Sequence, residues 1–571
     1  MLHGFFIEGK ARIMREQYID LMEKALSAYT DDHIHRYFEE VKEKGLTEHG
    51  FPRLTANIGI LASHGRRQDL IPIFREMMEF CCTQIPKKKA ANDFSVREII
   101  CCLRELDRSG IVDQETLDHW KQEISAIDPW MCYTVTAKKP EDPVRNWALF
   151  SGVSEYFRQQ YGLCSSEEFI DLQIASQLKW LDGNGMYMDN GSCVIHHPMV
   201  YDLVARGLFC LLLHFGYRGK YYDVIDTFLK KAGLLSLQMQ SVTGELPYGG
   251  RSNQFPHNEA WLASLMEFEA NRYAKEGNPA LSAAFKAGSD RALASVEEWL
   301  NKTPIRHIKN RFPTETKYGC EEYAYFDKYM ITTASFLYTG YLMCDESLPL
   351  AETAPAAPAV CQTSAYFHKY FLKCGDYFAE LDTDADPHYD ASGLGRLHRK
   401  GAPSVIALSV PCPVNPNYTL NLPSRIAISI CPGIRVGGVW HFAAEEGVHW
   451  ECTALVAETD CAYAEATCRF GEQKAIIRYT LDNTGLTVDI TTDEEVACLL
   501  PAFSFDGEKY SEISADDRSL SVCYEGWECR YTTDGLIQDL DRMGGNRNGH
   551  YKAFVASAKG MVKVRAEICH I

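Results

Sequence analysis

The chain contains no apolar run near the roughly 20 residues that a membrane-crossing helix needs. Its 21 cysteines are scattered, with adjacent pairs at Cys81–Cys82 and Cys101–Cys102 and no CxxC units, which argues against a structural zinc site. The dinucleotide fingerprint GxGxxG is missing, and so is the GxSxG elbow of an α/β-hydrolase. Basic residues are in deficit, 58 Lys and Arg against 77 Asp and Glu, for a net charge of −19. A nucleic-acid surface needs clustered cations, so that class of partner is excluded, whereas a few local Arg and Lys still suffice for an anionic sugar. The opening MLHGFFIEGKARIMREQY has a short apolar patch broken by Glu8 and Lys10 and lacks the pattern of a secretory signal. The expectation is a reduced, cytoplasmic protein with no membrane partner. Its oligomeric state is left open.

What the sequence does contain divides in two. At 571 residues the length prior gives about two to four domains. Residues 1–345 read as helix after helix: VREIICCLREL, SEEFIDLQIASQLKWL, MVYDLVARGLFCLLLHFGY and HNEAWLASLMEFEANRYA all space apolar residues by three and four. Short loops join them, so successive helices should pack antiparallel. Residues 346–363, rich in Ala and Pro, read as a linker. From 364 to 571 the period shortens to strands such as PSVIALSV, SRIAISIC, AIIRYTLD, GLTVDITT and MVKVRAEI, with turn signals such as DNTG. The expected fold class is α+β multidomain, an N-terminal (α/α) helical toroid followed by a C-terminal antiparallel β-sandwich-like domain.

The densest chemistry lies in GELPYGGRSNQFPHNE, Gly244–Glu259, at a helix entrance where backbone N–H groups and the helix dipole suit an anion. It supplies Tyr248, Arg251, Asn253, Gln254, His257, Asn258 and Glu259. Other loops add Asn146 beside Arg145, then His196, His197, Tyr201 and Asp202, then Glu315, Glu321, Glu322, Tyr323 and Asp327. The β half adds Tyr389, Arg396 and His398, and near the C-terminus Asn546, Arg547 and His550. Taken singly, each cluster is also accounted for by helix capping and hydration. Together, aromatic faces mixed with Asn, Arg and carboxylates are what a sugar cleft asks for. Alternate loops of a toroid share one end of the ring, so the first four clusters should meet there. Adjacent histidines rarely bind one ion and no HExxH accompanies them, so no cofactor is expected, with a divalent ion as the open alternative.

The helical half, the β half, TGELPYGGRSNQFPHNEA and HYDASGLGRLHRKGAPSVIALS resemble the heparinase II/III-like and alginate-lyase-like polysaccharide lyases. That resemblance implies lyase chemistry, with His398 as the residue lent by the β domain. Phe255 stands where those lyases often carry Tyr, Asn146 is all that matches their paired-Asn-plus-His motif, and the His-x-His-x-Asp pattern is missing. RNWALF, the DGNGMYMDNG…VIHHPMVYD segment and the GGRS turn also look like a bacterial toroid family linked to β-glucuronidase activity.

Two mechanisms remain open at this level. β-Elimination on an acidic glycan removes the C5 proton of a uronate after its carboxylate is neutralised by Arg251, Asn253 or Asn146. His257 or Tyr248 is then the base, Tyr201 or Tyr323 returns a proton to the leaving oxygen, and His398 closes the cleft. His197, Asn258, Glu315 and Arg396 complete the substrate contacts. Hydrolysis needs two carboxylates separated by roughly 5 Å or 6.5–9.5 Å; Glu259, Glu315, Glu322, Asp202 and Asp327 are the candidates. A glycan-binding protein without catalysis is the third reading.

Overall fold

The computed structural model describes residues 15–87, 92–134, 146–189, 198–351, 355–423 and 425–571. Its helical half closes into a ring. The inner wall consists of α3 (Gly50–Ser63), α5 (Asn92–Ser109), α8 (Trp147–Gln160), α10 (Met199–His214), α12 (Pro256–Lys275) and α14 (Phe326–Met343). Each packs on the next, and α14 returns to α3. The outer layer includes α1 (Arg15–Leu26), α4 (Ile71–Gln84), α6 (Gln114–Ser125), α9 (Glu167–Leu178), α11 (Tyr222–Met239) and α13 (Pro279–Leu300), with α2 (Asp31–Lys44) and the short α7 (Pro129–Cys132) beside them.

Hydrophobic pattern sorts the two layers. In α3 every residue from Gly50 to Ala62 is buried, and in α12 every residue from Pro256 to Ala270. A helix apolar nearly all round must sit between neighbours. By contrast α11 buries Ile225, Leu229, Ala232, Gly233, Ser236 and Met239, a single stripe that faces the inner wall. Gly207 of α10 lets Trp261 of α12 cross closely, since a Cβ there would meet the indole at 2.1 Å. Because an outer helix separates successive inner ones, the inner helices run parallel and their N-termini open on one mouth.

The β half holds two antiparallel sheets. The smaller runs β1–β2–β3–β4, with β1 Ala356–Gln362, β2 Lys369–Gly375, β3 Tyr377–Asp382 and β4 Gly393–Arg399. The stretch 346–363 read as linker therefore already contains the first strand. The larger sheet is built on two 21-residue strands, β10 (Gly485–Phe505) and β15 (His550–His570), paired from Leu486↔Ala566 to Phe505↔His550. Strands β1, β2 and β3 pack across β7 (His449–Ala457), β8 (Cys461–Phe470) and β9 (Gln473–Asp482), and the core lies between the sheets. PSVIALSV and SRIAISIC, expected as strands, instead make isolated bridges such as Leu397↔Leu408 and Cys412↔Ile428. Pro403, Pro411, Pro423 and Pro432 bracket them and remove the donors a continued ladder needs.

The halves are joined by an apolar seam of Met186, Met199, Met239, Phe367, Phe371 and Phe378. Beside it runs a buried ionic network. Lys309 lies 2.9 Å from Glu259 and 3.5 Å from Glu245, while Arg396 of β4 reaches Glu380 at 3.0 Å and Glu245 at 3.4 Å. Burial opposes ionisation of Glu245, yet Lys309, Arg396 and His398 outweigh it and hold its carboxyl down at about 2. Among the described residues every cysteine is free, and no helix is long and apolar enough to cross a membrane.

Candidate active site

The chemistry-bearing loops sit where inner helices begin: His49 before α3, Asn146 before α8, Pro198 before α10, Phe255 before α12 and Tyr325 before α14. Their unpaired N–H groups and dipoles make this mouth favourable to negative charge.

The loop before α12 is held peptide by peptide. Gly249 and Gly250 have φ of +137° and +73°, and Ser252 and Gln254 follow at +61° and +62°. A non-glycine residue in this region is strained and stays there only if its surroundings insist. They do: Gly250 N–H donates to Asp390 at 2.7 Å, Ser252 N–H to Glu321 at 2.7 Å, Asn258 Nδ2 to the Ser252 carbonyl at 3.1 Å, and Lys309 N–H to the Gln254 carbonyl at 2.8 Å. Gly250 also presses on Pro198, where a Cβ would come within 3.0 Å of the backbone.

This brace aims Arg251 and Ser252 at two tyrosines. The Ser252 hydroxyl is 2.9 Å from that of Tyr201 and also contacts that of Tyr323, so three hydroxyls form a chain. The Arg251 guanidinium lies 4.6 Å from the Tyr323 ring centre and 5.7 Å from that of Tyr201. It forms no ion pair among the described residues, and its Nε is buried without a hydrogen-bond partner. Burial, then the neighbouring Tyr201 phenol and Glu321, push the Tyr323 phenol well above its ordinary range, with Arg251 pulling the other way. Behind Tyr323 stands Tyr329, with ring centres 5.9 Å apart, and behind that His257, 5.6 Å from Tyr329.

The β domain completes this wall. Arg547 pairs with Glu321 through two contacts of 2.8 and 2.9 Å, and stacks 4.4 Å from the Tyr418 ring. Glu321 thereby braces Ser252 and docks the β domain with the same carboxylate. Tyr389, beside Asp390, is close enough to feel the charge of Arg251.

Arg251, Tyr201 and Tyr323 are thus brought together as the sequence suggested, with Asn258 beneath them as a brace. Asn146 precedes α8 without a side-chain capping bond, and its backbone N–H and side-chain Nδ2 donate to Asp189 at 3.2 and 3.3 Å. Asn253 is buried and accepts from Gln254 at 3.0 Å. His257 is only 4 % exposed, packed against Phe255, Tyr329 and Phe336; burial and then Arg53 depress it to about 3, so it is a neutral second layer.

Five other expected site residues stand apart from this hydroxyl chain. Tyr248 is fully buried under Lys369, whose Nζ lies 3.5 Å from its ring centre, and its hydroxyl abuts Gly395, where a Cβ would be 2.4 Å away. His398 is buried, with Nδ1 at 2.7 Å from the Ser241 hydroxyl and 3.0 Å from that of Thr243. Glu259 and Arg396 belong to the ionic network between the halves. Their charges serve docking because a buried ion must be paired to be tolerated. Glu315 lies exposed on the turn Thr314–Thr316. His196, His197 and Arg145 fall outside the described residues. Sequence reasoning missed Ser252 and Tyr329, small or apolar-looking beside richer neighbours; a strained φ and a ring contact are visible only in three dimensions.

The chain is similar to polysaccharide lyases. Streptomyces coelicolor chondroitin AC lyase aligns over 99% of this chain and 80% of its own, at 11% identity and a TM-score of 0.48. Paenibacillus xanthan lyase aligns over 90% of this chain and 53% of its own, at 8% identity and 0.43. A heparan sulfate lyase mutant from Pedobacter heparinus covers 87% and 76%, at 9% identity and 0.33. No family model matches the chain, and no curated protein does.

Proposed function

We propose that this protein is a polysaccharide or oligosaccharide lyase that cleaves a uronate-containing glycan by β-elimination. The observation that carries the reading is Arg251, a guanidinium stacked on two tyrosines without a carboxylate partner among the described residues. A cation held at a mouth of helix N-termini calls for an anion, and a uronate carboxylate matches its fork.

Pairing with Arg251 withdraws charge from the carboxylate and makes the C5 proton easier to remove. Tyr201 then takes that proton on its phenolic oxygen while passing its own proton to Ser252, the electron pair forms the C4–C5 double bond, and the C4–O4 bond breaks. Tyr323, kept protonated by burial, donates to O4, and Ser252 passes a proton between the phenols so that the pair is reset. Arg251 and the converging N–H groups stabilise the enolate-like charge at the carboxylate.

The hydrolase reading needs two carboxylates facing a sugar. Of its candidates, Glu259 is paired with Lys309, Asp202 with Arg206 at 2.6 Å, and Asp327 with His33 at 2.7 Å, while Glu315 and Glu322 are exposed. That accounting supports elimination.

The test is incubation with glucuronate- and iduronate-containing glycans while following ultraviolet absorbance of the new conjugated double bond. Absorbance rising in step with chain cleavage is expected; reducing ends appearing without it would establish hydrolysis instead. Ser252→Ala should lower kcat by about 10²- to 10⁴-fold, the range of a proton-transfer contribution, while shifting stability by about 1 kcal/mol. An unchanged kcat in that variant removes the relay from the mechanism.

A further inference from the structure

Away from the mouth, the two halves fail to close between α13 and the β domain. A cavity of about 230 Å³ remains there. One wall is the C-terminal end of α13, with Glu298 and Trp299, and Lys302 just beyond it; Arg311, Asp506 and Tyr524 also line the cavity. Trp299 is half-buried, so its indole forms a wall rather than core.

The charges of this lining are matched. Lys302 pairs with Glu298 at 3.4 Å. Arg311 pairs with Asp506 at 2.6 Å and Glu525 at 2.9 Å, and donates to the Tyr524 hydroxyl at 2.9 Å. Glu245 reaches the cavity from the network between the halves, where Arg396 at 3.4 Å balances it, yet its Oε2 accepts no hydrogen bond. That carboxylate oxygen, on a residue only 4 % exposed, has the Arg396 guanidinium 3.4 Å away as its charge partner and retains room to accept a hydrogen bond. An ion entering here finds no uncompensated charge, and a purely apolar ligand would strand the polar groups. A neutral polyhydroxylated ring satisfies both conditions, with its apolar face on Trp299 and its hydroxyls on Glu245, Asp506 and Arg311. The volume falls below the roughly 300–1,000 Å³ of larger ligand pockets and suits a single sugar residue.

We propose that this cavity is an accessory site for one neutral sugar residue, distinct from the cleft around Arg251. It contacts that cleft through protein alone. Asn548, in the cavity lining, donates to the Lys309 carbonyl, and Lys309 N–H donates to the Gln254 carbonyl two residues beyond Ser252. An occupant therefore fastens the β domain to the loop that aims Arg251. The proposal stands whether or not the cleft performs elimination.

The full-length protein is titrated with D-glucose, D-galactose and N-acetyl-D-glucosamine, read by tryptophan fluorescence and by calorimetry. Saturable binding of at least one probe is expected, weakened about tenfold or more in both Trp299→Ala and Ala294→Phe, and kept within about twofold in Arg251→Ala. The first variant removes the stacking wall and the second fills the cavity from a solvent-facing helix position, so neither threatens the core. No saturable binding of any probe overturns the site. Binding that survives both cavity variants, or that disappears with Arg251→Ala, also overturns it.

Discussion

Arg251→Ala is expected to lower kcat/KM by about 10³-fold on an acidic glycan, close to 4 kcal/mol of transition-state stabilisation. The reasoning starts from charge accounting. Near the mouth, Arg53 is bonded to Glu98 and Thr332, and Arg547 is spent on Glu321. Among the described residues Arg251 is a cation of this mouth without an ion-pair partner, and it stands over the hydroxyl chain on which the proposed proton transfers depend. Its stacking on two rings is worth about 1 kcal/mol at a partly exposed site, so the variant should fold and melt close to the parent. Arg251→Lys keeps the charge but loses the planar fork, and should recover only part of the activity. A folded Arg251→Ala protein within about tenfold of parental kcat/KM would remove Arg251 from the reaction.

The helical toroid was legible because apolar residues recur every three and four positions. Which helices line the ring was not read from the sequence; burial separates the all-round buried Gly50–Ala62 from the single buried stripe of Tyr222–Met239. The mouth was legible too, since alternation alone dictates that alternate loops share an end. What sequence could not separate was polar residues that meet solvent from polar residues that meet one another. Tyr248, Glu259, Arg396 and His398 have the composition of a sugar site, but Tyr248 meets Lys369 and His398 meets Ser241 only across the two halves, while Glu259 and Arg396 are taken up by Lys309 and Glu380 within their own halves. Ser252 carries the converse lesson: its importance lies in a backbone conformation and two contacts, none of which composition encodes.

That buried network makes the pH dependence of stability the other large expectation. His49, His257, His307 and His398 are all under a tenth exposed. Burial, aided by nearby Arg residues, lowers all four: His257 and His398 to about 3, His307 to about 4, and His49 well below its usual value. A base depressed in the fold contributes stability that is complete above its unfolded value, about 6.5, and lost as pH falls toward the folded value, because only the unfolded chain binds the proton. Buried carboxyls oppose this, Asp202, Glu259, Glu267 and Glu380 among them, each raised by burial. Burial raises Asp390 and Glu269 to about 7, so between pH 7 and their unfolded range the folded chain holds protons that the unfolded chain releases. Each buried imidazole taken singly contributes about 2 kcal/mol that is lost between pH 6.5 and 5. His398→Gln, which removes one such ring, should therefore shift the pH dependence of the denaturant midpoint across that interval by about 1.4 kcal/mol per pH unit relative to the parent, towards less loss on acidification. A pH dependence unchanged in that variant would mean that the His398 imidazole is solvated or charged in the folded chain, and that the packing described around it is not the one in solution.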